Sequence, residues 1–342
     1  MPIYRRIEET ELFRFTREVF EAAGVPQENA AIVADNLVQG ELHGLGTHGP
    51  SRLLPIYAQR FQSGATNPTP KLCVLEQKKG LAVVDGDDGP GAVVGLYAMR
   101  LALDLASEYG SGWVAVRNSS HFGAAFLFAR EALPKGMIGF SMTSAVPQMA
   151  PWGGREKGLG TNPICIAVPG GERGDVILDM ATTVVARGKV QLAMLEGKDI
   201  PLGWAVDGNG QPTTDAVEAS KNGRMLPLGG YKGYGLSLMV EIFCSVLSGA
   251  SIAKEIGSLF RDPEQPQRLG HFFGAMDISA FMPLDIFRSR MDWLVESLKS
   301  APLEEGVKEI LVPGEPEARK AAQYRAEGIP LAVDVIDTLN ET

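Results

Sequence analysis

Histidine is scarce in this chain: four occur, His43, His48, His121 and His271, and two of them stand in dense polar clusters bounded by glycine. The first cluster is His43-Gly-Leu-Gly-Thr-His-Gly-Pro-Ser-Arg52, at the junction between two expected helices. An imidazole beside a guanidinium is what reduction of a 2-oxo acid requires. The fork of Arg52 clamps the carboxylate through paired hydrogen bonds, and the ring of His48 exchanges the proton on the carbonyl oxygen. The hydroxyl of Thr47 can bond that ring and orient it. The same residues also make an ordinary helix cap and turn, and residue types alone leave both readings open.

The second cluster, Arg117-Asn-Ser-Ser-His-Phe-Gly-Ala-Ala125, follows an expected strand and opens a helix. Free backbone N–H groups at such a point favour pyrophosphate or another anion, while Ser119 or Ser120 acting as a simple N-cap is the competing reading. Three more clusters fall at strand ends or helix starts: Gly158-Leu-Gly-Thr-Asn-Pro163, Asp179-Met-Ala-Thr-Thr183 with Ala186-Arg-Gly-Lys189, and Leu228-Gly-Gly-Tyr-Lys-Gly-Tyr-Gly235. Each alone is weak, because turns and caps use the same residues. Together they point to one composite ligand site.

The passage Val83-Val-Asp-Gly-Asp-Asp-Gly-Pro-Gly-Ala-Val-Val-Gly95 has the strand, glycine and helix order of a dinucleotide fingerprint. Its glycines do not fall in the G-x-G-x-x-G register, and Asp85, Asp87 and Asp88 put negative charge where phosphates would sit. It reads as a turn with an acidic helix entry.

The elements that must position these clusters follow from periodicity. Leu12 to Phe20, Ile32 to Val38 and Pro50 to Gln62 have helical spacing, so the first sixty-odd residues read as helices. Alternating strands and helices follow: strands at Leu81 to Asp85, Trp113 to Val116, Met137 to Met142, Ile164 to Val168, Val176 to Asp179 and Phe272 to Ile278, with helices at Gly91 to Tyr109 and Lys232 to Leu247. Residues 203–230, rich in Gly, Pro, Asp and Asn, read as a long ordered surface excursion, and 316–327 and 333–339 as terminal helices.

The 342 residues carry 32 Lys+Arg against 41 Asp+Glu, a net charge of −9, so there is no cation excess to neutralise a nucleic acid. Three widely spaced cysteines, Cys73, Cys165 and Cys244, argue against a disulfide framework or a zinc site and for a reducing compartment. No signal peptide and no membrane-length apolar run is readable, so a cytoplasmic protein with no membrane or nucleic-acid partner and no metal is expected. Forty glycines without a low-complexity tract imply many tight turns and close backbone approaches.

Thr47-His-Gly-Pro-Ser-Arg52, Ser119-Ser-His-Phe-Gly123, Gly160-Thr-Asn-Pro163, Asp179-Met-Ala-Thr182, Gly188-Lys189 and Leu226-Pro-Leu-Gly-Gly-Tyr-Lys-Gly233 match in order and spacing. Together they resemble the type-2 malate/L-lactate dehydrogenase family, which also holds sulfolactate, ureidoglycolate and cyclic-imine carboxylate members. The resemblance spans nearly the whole chain. It implies an α/β fold that is not a Rossmann fold: an N-terminal helical bundle (1–70) packed on a three-layer α/β/α domain with a mixed sheet (71–310), and a C-terminal segment (311–342) completing the cofactor site and packing with the N-terminal helices. A homodimer is also implied.

The resemblance assigns proton exchange to His48, oriented by Thr47, with His121 second in rank, and Arg52 and Thr161 to the substrate. Asp179 is the candidate to pair with the catalytic histidine. The implied cofactor contacts are Ser120, His121, Phe122, Gly123, Ala124, Asp179, Met180, Ala181, Arg187, Gly188, Lys189, Tyr231, Lys232, Pro313, Gly314 and Glu315. The cofactor is NAD or NADP, Arg187 being either a partner for a 2′-phosphate or a solvated helix residue. The expected reaction moves a hydride between nicotinamide and C2 of a small 2-hydroxy/2-oxo carboxylate. Reduction of a cyclic imine carboxylate or a diketo sugar acid is the enzymatic alternative, and a catalytically silent ligand-binding protein the non-enzymatic one.

Overall fold

The computed structural model describes residues 3–340. In chain order it contains β1 (Tyr4–Ile7), α1 (Glu9–Ala22), α2 (Gln27–Leu42), α3 (Pro50–Gln62), β2 (Cys73–Lys78), β3 (Leu81–Gly89), α4 (Gly91–Tyr109), β4 (Ser111–Ser119), α5 (Phe126–Ala129), β5 (Met137–Thr143), β6 (Ile164–Val168) and β7 (Val176–Met180). There follow α6 (Arg187–Leu195), β8 (Ala205–Val206), α7 (Ala216–Lys221), β9 (Arg224–Met225), α8 (Tyr231–Glu241), β10 (Leu269–Asp277), α9 (Leu284–Lys299), α10 (Glu315–Glu327), β11 (Ile329–Ala332) and α11 (Val333–Asn340).

The N-terminal helices form for local reasons. α1 begins with Glu9 and Glu11, carboxylates that the helix N-terminus favours, and buries Leu12, Thr16 and Phe20 at one residue per turn. Gly24, at φ +88°, turns the chain into α2. α3 starts with Pro50 at its first turn, where the missing N–H costs nothing. Phe20, Val33, Leu37, Leu54 and Phe61 close a core between the three helices, and Ala92 and Val93 of α4 join it.

The central sheet has seven strands in the order β2-β3-β4-β10-β5-β6-β7. Only β3 and β4 run parallel, joined through α4, and the other pairs are antiparallel, so the sheet is mixed. Side chains alternate across it: Val114 and Val116 pack under α4 and α5, whereas Ala115 and Phe272 pack on the opposite face against Val240 of α8 and Cys244. Helices therefore cover both faces. This is the three-layer α/β/α arrangement, and its strand order is not that of a Rossmann fold.

Three departures from the sequence expectations have physical causes. The N-terminal region is not wholly helical, because Tyr4–Ile7 pairs antiparallel with Ile329–Ala332, a partner some 320 residues away that no local pattern announces. The excursion at 203–230 contains β8, α7 and β9, with Ala205, Ala216, Ala219 and Met225 packing on Val185 and Val190. The helix expected through Leu247 runs as α8 only to Glu241 and continues as one π-helical turn, Ile242–Val246. The strand β2 and the helix α9 add to the expected set. At the C-terminal end, Ala321, Ile329 and Leu331 pack on Leu12, Val38 and Leu42.

Candidate active site

The loop between α2 and α3 is built around a buried carboxylate. Glu41 accepts hydrogen bonds from the Ser51 backbone N–H (3.3 Å) and hydroxyl (2.7 Å). Burial pushes its pKa upward, against those two bonds. A Cβ on Gly49 would lie 2.0 Å from its Oε2, so only glycine lets the loop close over it. The closed loop carries Thr47 and His48 in a short 3₁₀ turn and Arg52 on the first turn of α3. The Thr47 hydroxyl lies 3.0 Å from His48 Nδ1, and its methyl packs where a Cβ on Gly188 would stand.

The exit of β4 brings in the second histidine. The His121 N–H donates to Gln267 Oε1 (2.9 Å), and its Nδ1 lies 2.6 Å from the Tyr57 hydroxyl. Gly123 follows at φ +78°, where a Cβ would stand 2.0 Å from Asn36 Oδ1. The rings of His48 and His121 stack, with centroids 5.8 Å apart.

Two cavities meet at these rings. A groove of about 900 Å³ runs past Ala124, Ala125, Asp179, Met180, Ala181, Lys189, Pro313 and Gly314. A chamber of about 140 Å³ is walled by Arg52, His121, Gln148, Arg187, Gln191 and Phe260. Thr47, His48, Gly123, Thr161, Pro163 and Ala186 line both, so they mark the junction. The groove lies within the roughly 300–1,000 Å³ typical of cofactor sites, and its glycine- and alanine-rich walls leave backbone accessible to a long ligand. The chamber holds only a small one.

The chamber is cationic. Arg52 donates to the Gly188 carbonyl (3.5 Å) and to Gln191 Oε1, and both Arg52 and Arg187 lie over the ring of Phe260, at 5.4 and 5.8 Å. The Arg187 Nε and the Gln148 Nε2 are buried without a hydrogen-bond partner. Burial works against both guanidinium charges, Arg261 and Arg52 adding to the cost at Arg187. Burial, with help from Arg52, lowers His48 to about 4, and burial with the neighbouring His48 lowers His121 to about 3. Both rings are therefore neutral near pH 7.

Other candidates lie elsewhere. The Ser120 hydroxyl is buried between Gly89 O (2.8 Å) and Gly91 N (3.1 Å), tying β3 to α4. Phe122 stacks on His271 and Phe128 in the core. Asp179 opens on the groove and accepts the Phe126 N–H (2.9 Å), with no hydrogen bond to either histidine; the groove walls, and then Glu317, raise its pKa. Arg187 lies in the chamber and not in the groove, because α6 turns it toward Phe260 while Lys189 faces the groove. Tyr231 and Lys232 line neither cavity. Glu315 pairs with Lys299 (2.7 Å) and holds the Val312 N–H (3.0 Å), which shapes the Pro313-Gly314 turn.

Sequence reasoning missed Glu41, Tyr57, Gln191 and Phe260. Gln191 had one usable signal, since it stands four residues after Arg187 on the same helix face.

Residues 7–340 match the family described as malate/L-lactate dehydrogenase. The chain is similar to malate dehydrogenase of Pyrococcus horikoshii (41% identity over 99% of this chain and 94% of that one). It is also similar to L-sulfolactate dehydrogenase of Methanocaldococcus jannaschii (40% identity over 95% of this chain and 92% of that one). Among solved structures it is similar to Δ1-piperideine-2-carboxylate reductase of Pseudomonas syringae, with TM-score 0.88, 28% identity and coverage of 98% and 99% of the two chains. Further relatives are named as NAD(+)- and NADP(+)-dependent dehydrogenases.

Proposed function

The chain belongs to the malate/L-lactate dehydrogenase family and is an NAD(P)-dependent oxidoreductase of small 2-hydroxy and 2-oxo carboxylates; from that premise we propose that its substrate is a dianion, with a second acidic group beside the carboxylate at C1. One observation carries this: two arginines, Arg52 and Arg187, face one small chamber over the same aromatic ring, and the Nε of Arg187 has no partner. A half-buried cation with an unpartnered N–H and no counter-charge carries a desolvation cost, and a bound anion offsets it. The relatives named for malate and sulfolactate act on substrates of this charge. A cyclic imine carboxylate or a lactate would leave one arginine unmatched.

The groove takes the dinucleotide, which supplies hydride acceptance or donation at the nicotinamide when bound. Arg52 holds the C1 carboxylate, retaining N–H donors beyond those given to Gly188 and Gln191. His48, at the junction of groove and chamber, takes the hydroxyl proton of the substrate during oxidation and returns it during reduction. Thr47 fixes its ring, and Thr161 lines the same junction of groove and chamber. Asp179, Met180, Ala181, Gly123, Ala124, Lys189, Pro313 and Gly314 form the cofactor wall. The test is a substrate panel: malate, oxaloacetate and 3-sulfolactate are turned over with kcat/KM well above lactate, pyruvate and piperideine carboxylate. Equal or higher efficiency with the monoanions overturns the proposal.

We also propose a homodimer. Leu236, Met239, Phe243, Val246 and Leu247 are exposed along α8 and its π turn, an apolar surface of the kind that a second copy covers. Tyr231 and Lys232 stand at the start of that helix, so a cofactor role for them requires reaching a groove across the interface. Sedimentation of the purified chain at the dimer mass is expected; a monomer contradicts it. Among the described residues no helix is long and apolar enough to cross a membrane. A cytoplasmic location is proposed from the unpaired Cys73, Cys165 and Cys244.

A further inference from the structure

We infer that Tyr57 is a positioning residue that decides which nitrogen of His121 carries the proton, and so makes His121 a hydrogen-bond donor to the reacting oxygen of the substrate while His48 acts as the base. The inference rests on the active-site reading above.

The Tyr57 hydroxyl has two acceptors within reach, His121 Nδ1 at 2.6 Å and the His121 carbonyl at 3.2 Å, and only one proton to give. The backbone N–H of Gly123 is a second, more distant donor at the first of these. It points at the same Nδ1 from 3.4 Å, and an amide N–H can only donate. A lone pair on Nδ1 serves both donors, the nearer being the tyrosine, so the tyrosine proton goes to Nδ1 and the neutral imidazole carries its hydrogen on Nε2. With Nδ1 engaged by Tyr57 and Gly123, Nε2–H is the ring group that His121, a wall residue of the chamber, has left to offer a ligand there.

A ring in this state offers a proton donor and no free lone pair. It can bond the C2 oxygen, steadying the negative charge that grows there as the hydroxyl proton leaves, but it cannot take that proton at Nε2. The His48 ring is not constrained this way, because its Nδ1 neighbour is a threonine hydroxyl that donates or accepts equally well. The two histidines thus divide the work, and Tyr57, buried to 8% exposure and edge-on to the His121 ring, sets the division. Its place is shared with function: α3 carries both Arg52 and Tyr57, so one rigid helix fixes the carboxylate clamp and the tautomer together.

The test reads the tautomer directly. In the ¹⁵N spectrum of the cofactor-free wild type at neutral pH, His121 is expected to show an unprotonated Nδ1 and a protonated Nε2. In Tyr57→Phe, which keeps the ring and its packing, Nδ1 loses its short hydroxyl donor and keeps only the 3.4 Å Gly123 contact, so its signal is expected to move toward the protonated position. Its kcat should fall about tenfold, the loss of roughly one hydrogen bond in the transition state, with NAD(P)H affinity unchanged. A wild-type His121 protonated at Nδ1 overturns the inference whether or not the variant folds. A variant with unaltered ¹⁵N signals and kcat does so too. Because the tautomer is read without substrate, these results stay separate from any failure of the dianion proposal.

Discussion

The imidazoles of His48 and His121 lie 13° from parallel with centroids 5.8 Å apart, so a proton on one ring raises the cost of a proton on the other. Oxidation of a hydroxy acid needs a neutral base, and with His48 lowered to about 4 that base is available down to mildly acidic pH. For oxidation, kcat/KM is expected to hold its plateau until pH falls toward about 4 and then to decline. The acidic limb of kcat should lie higher, since a bound carboxylate neutralises Arg52, one of the two causes that lower His48. Profiles of kcat and kcat/KM against pH check this; a limb of kcat/KM near the ordinary histidine value contradicts it.

Arg187 should govern charge selection. Arg187→Met is expected to lower kcat/KM for malate by about ten- to hundredfold, the value of a charge-assisted hydrogen bond, while lactate changes little. A parallel loss on both substrates would place Arg187 in a general structural role. For Arg52→Lys the expected change is a raised KM on every substrate, because a point charge replaces a bidentate fork.

Gly188 is a spacer for Thr47. A Cβ at this position would stand 2.5 Å from the threonine Cγ2 and 2.6 Å from its Cβ, so Gly188→Ala must push the His48 loop away from α6. Activity should fall by about a hundredfold from misplacement near 1 Å, with circular dichroism and NAD(P)H binding retained. Full activity would show that the loop is not held from this side.

His271 is buried and neutral, with Nδ1 2.7 Å from the Thr143 hydroxyl and Nε2 2.8 Å from the Ser119 hydroxyl, and burial lowers it to about 3. The unfolded chain takes up this proton near the ordinary value of about 6.5, so between there and about 3 the unfolded state binds more protons. Stability from this group is therefore full above that window and lost as pH falls through it, at up to about 1.4 kcal/mol per pH unit. Glu41 and Glu241, raised by burial, act in the opposite sense, so the wild-type curve alone does not isolate the effect. Urea unfolding of wild type and His271→Gln at several pH values does: the difference between them should shrink on acidification. A constant difference contradicts the assignment.

The composite site was legible where chemistry and spacing coincided. Thr47, His48 and Arg52 fall within six residues and needed only a loop to present them, and the exit of β4 announced His121. In the 86–95 passage, Gly91 sits against the Ser120 and His121 backbone as a packing contact, and Asp85 pairs with Arg117 at 3.0 Å. What stayed hidden depends on long-range assembly. Tyr57 is one apolar position of an amphipathic helix until β4 places His121 beside it, and Phe260 belongs to a segment without periodicity. Arg187 was visible as a cation, but whether α6 turned it to the groove or the chamber depended on packing that sequence spacing does not encode. The pairing of β1 with β11 is hidden for the same reason.

The central claim is that His48 transfers the proton at the meeting point of groove and chamber. Its most direct test is a single-turnover measurement of NAD(P)H oxidation by oxaloacetate in wild type and His48→Ala, with NAD(P)H affinity measured by fluorescence on the same samples. The account predicts a rate lowered by about 10²- to 10⁴-fold with cofactor affinity nearly unchanged. An unaltered single-turnover rate in His48→Ala would contradict it.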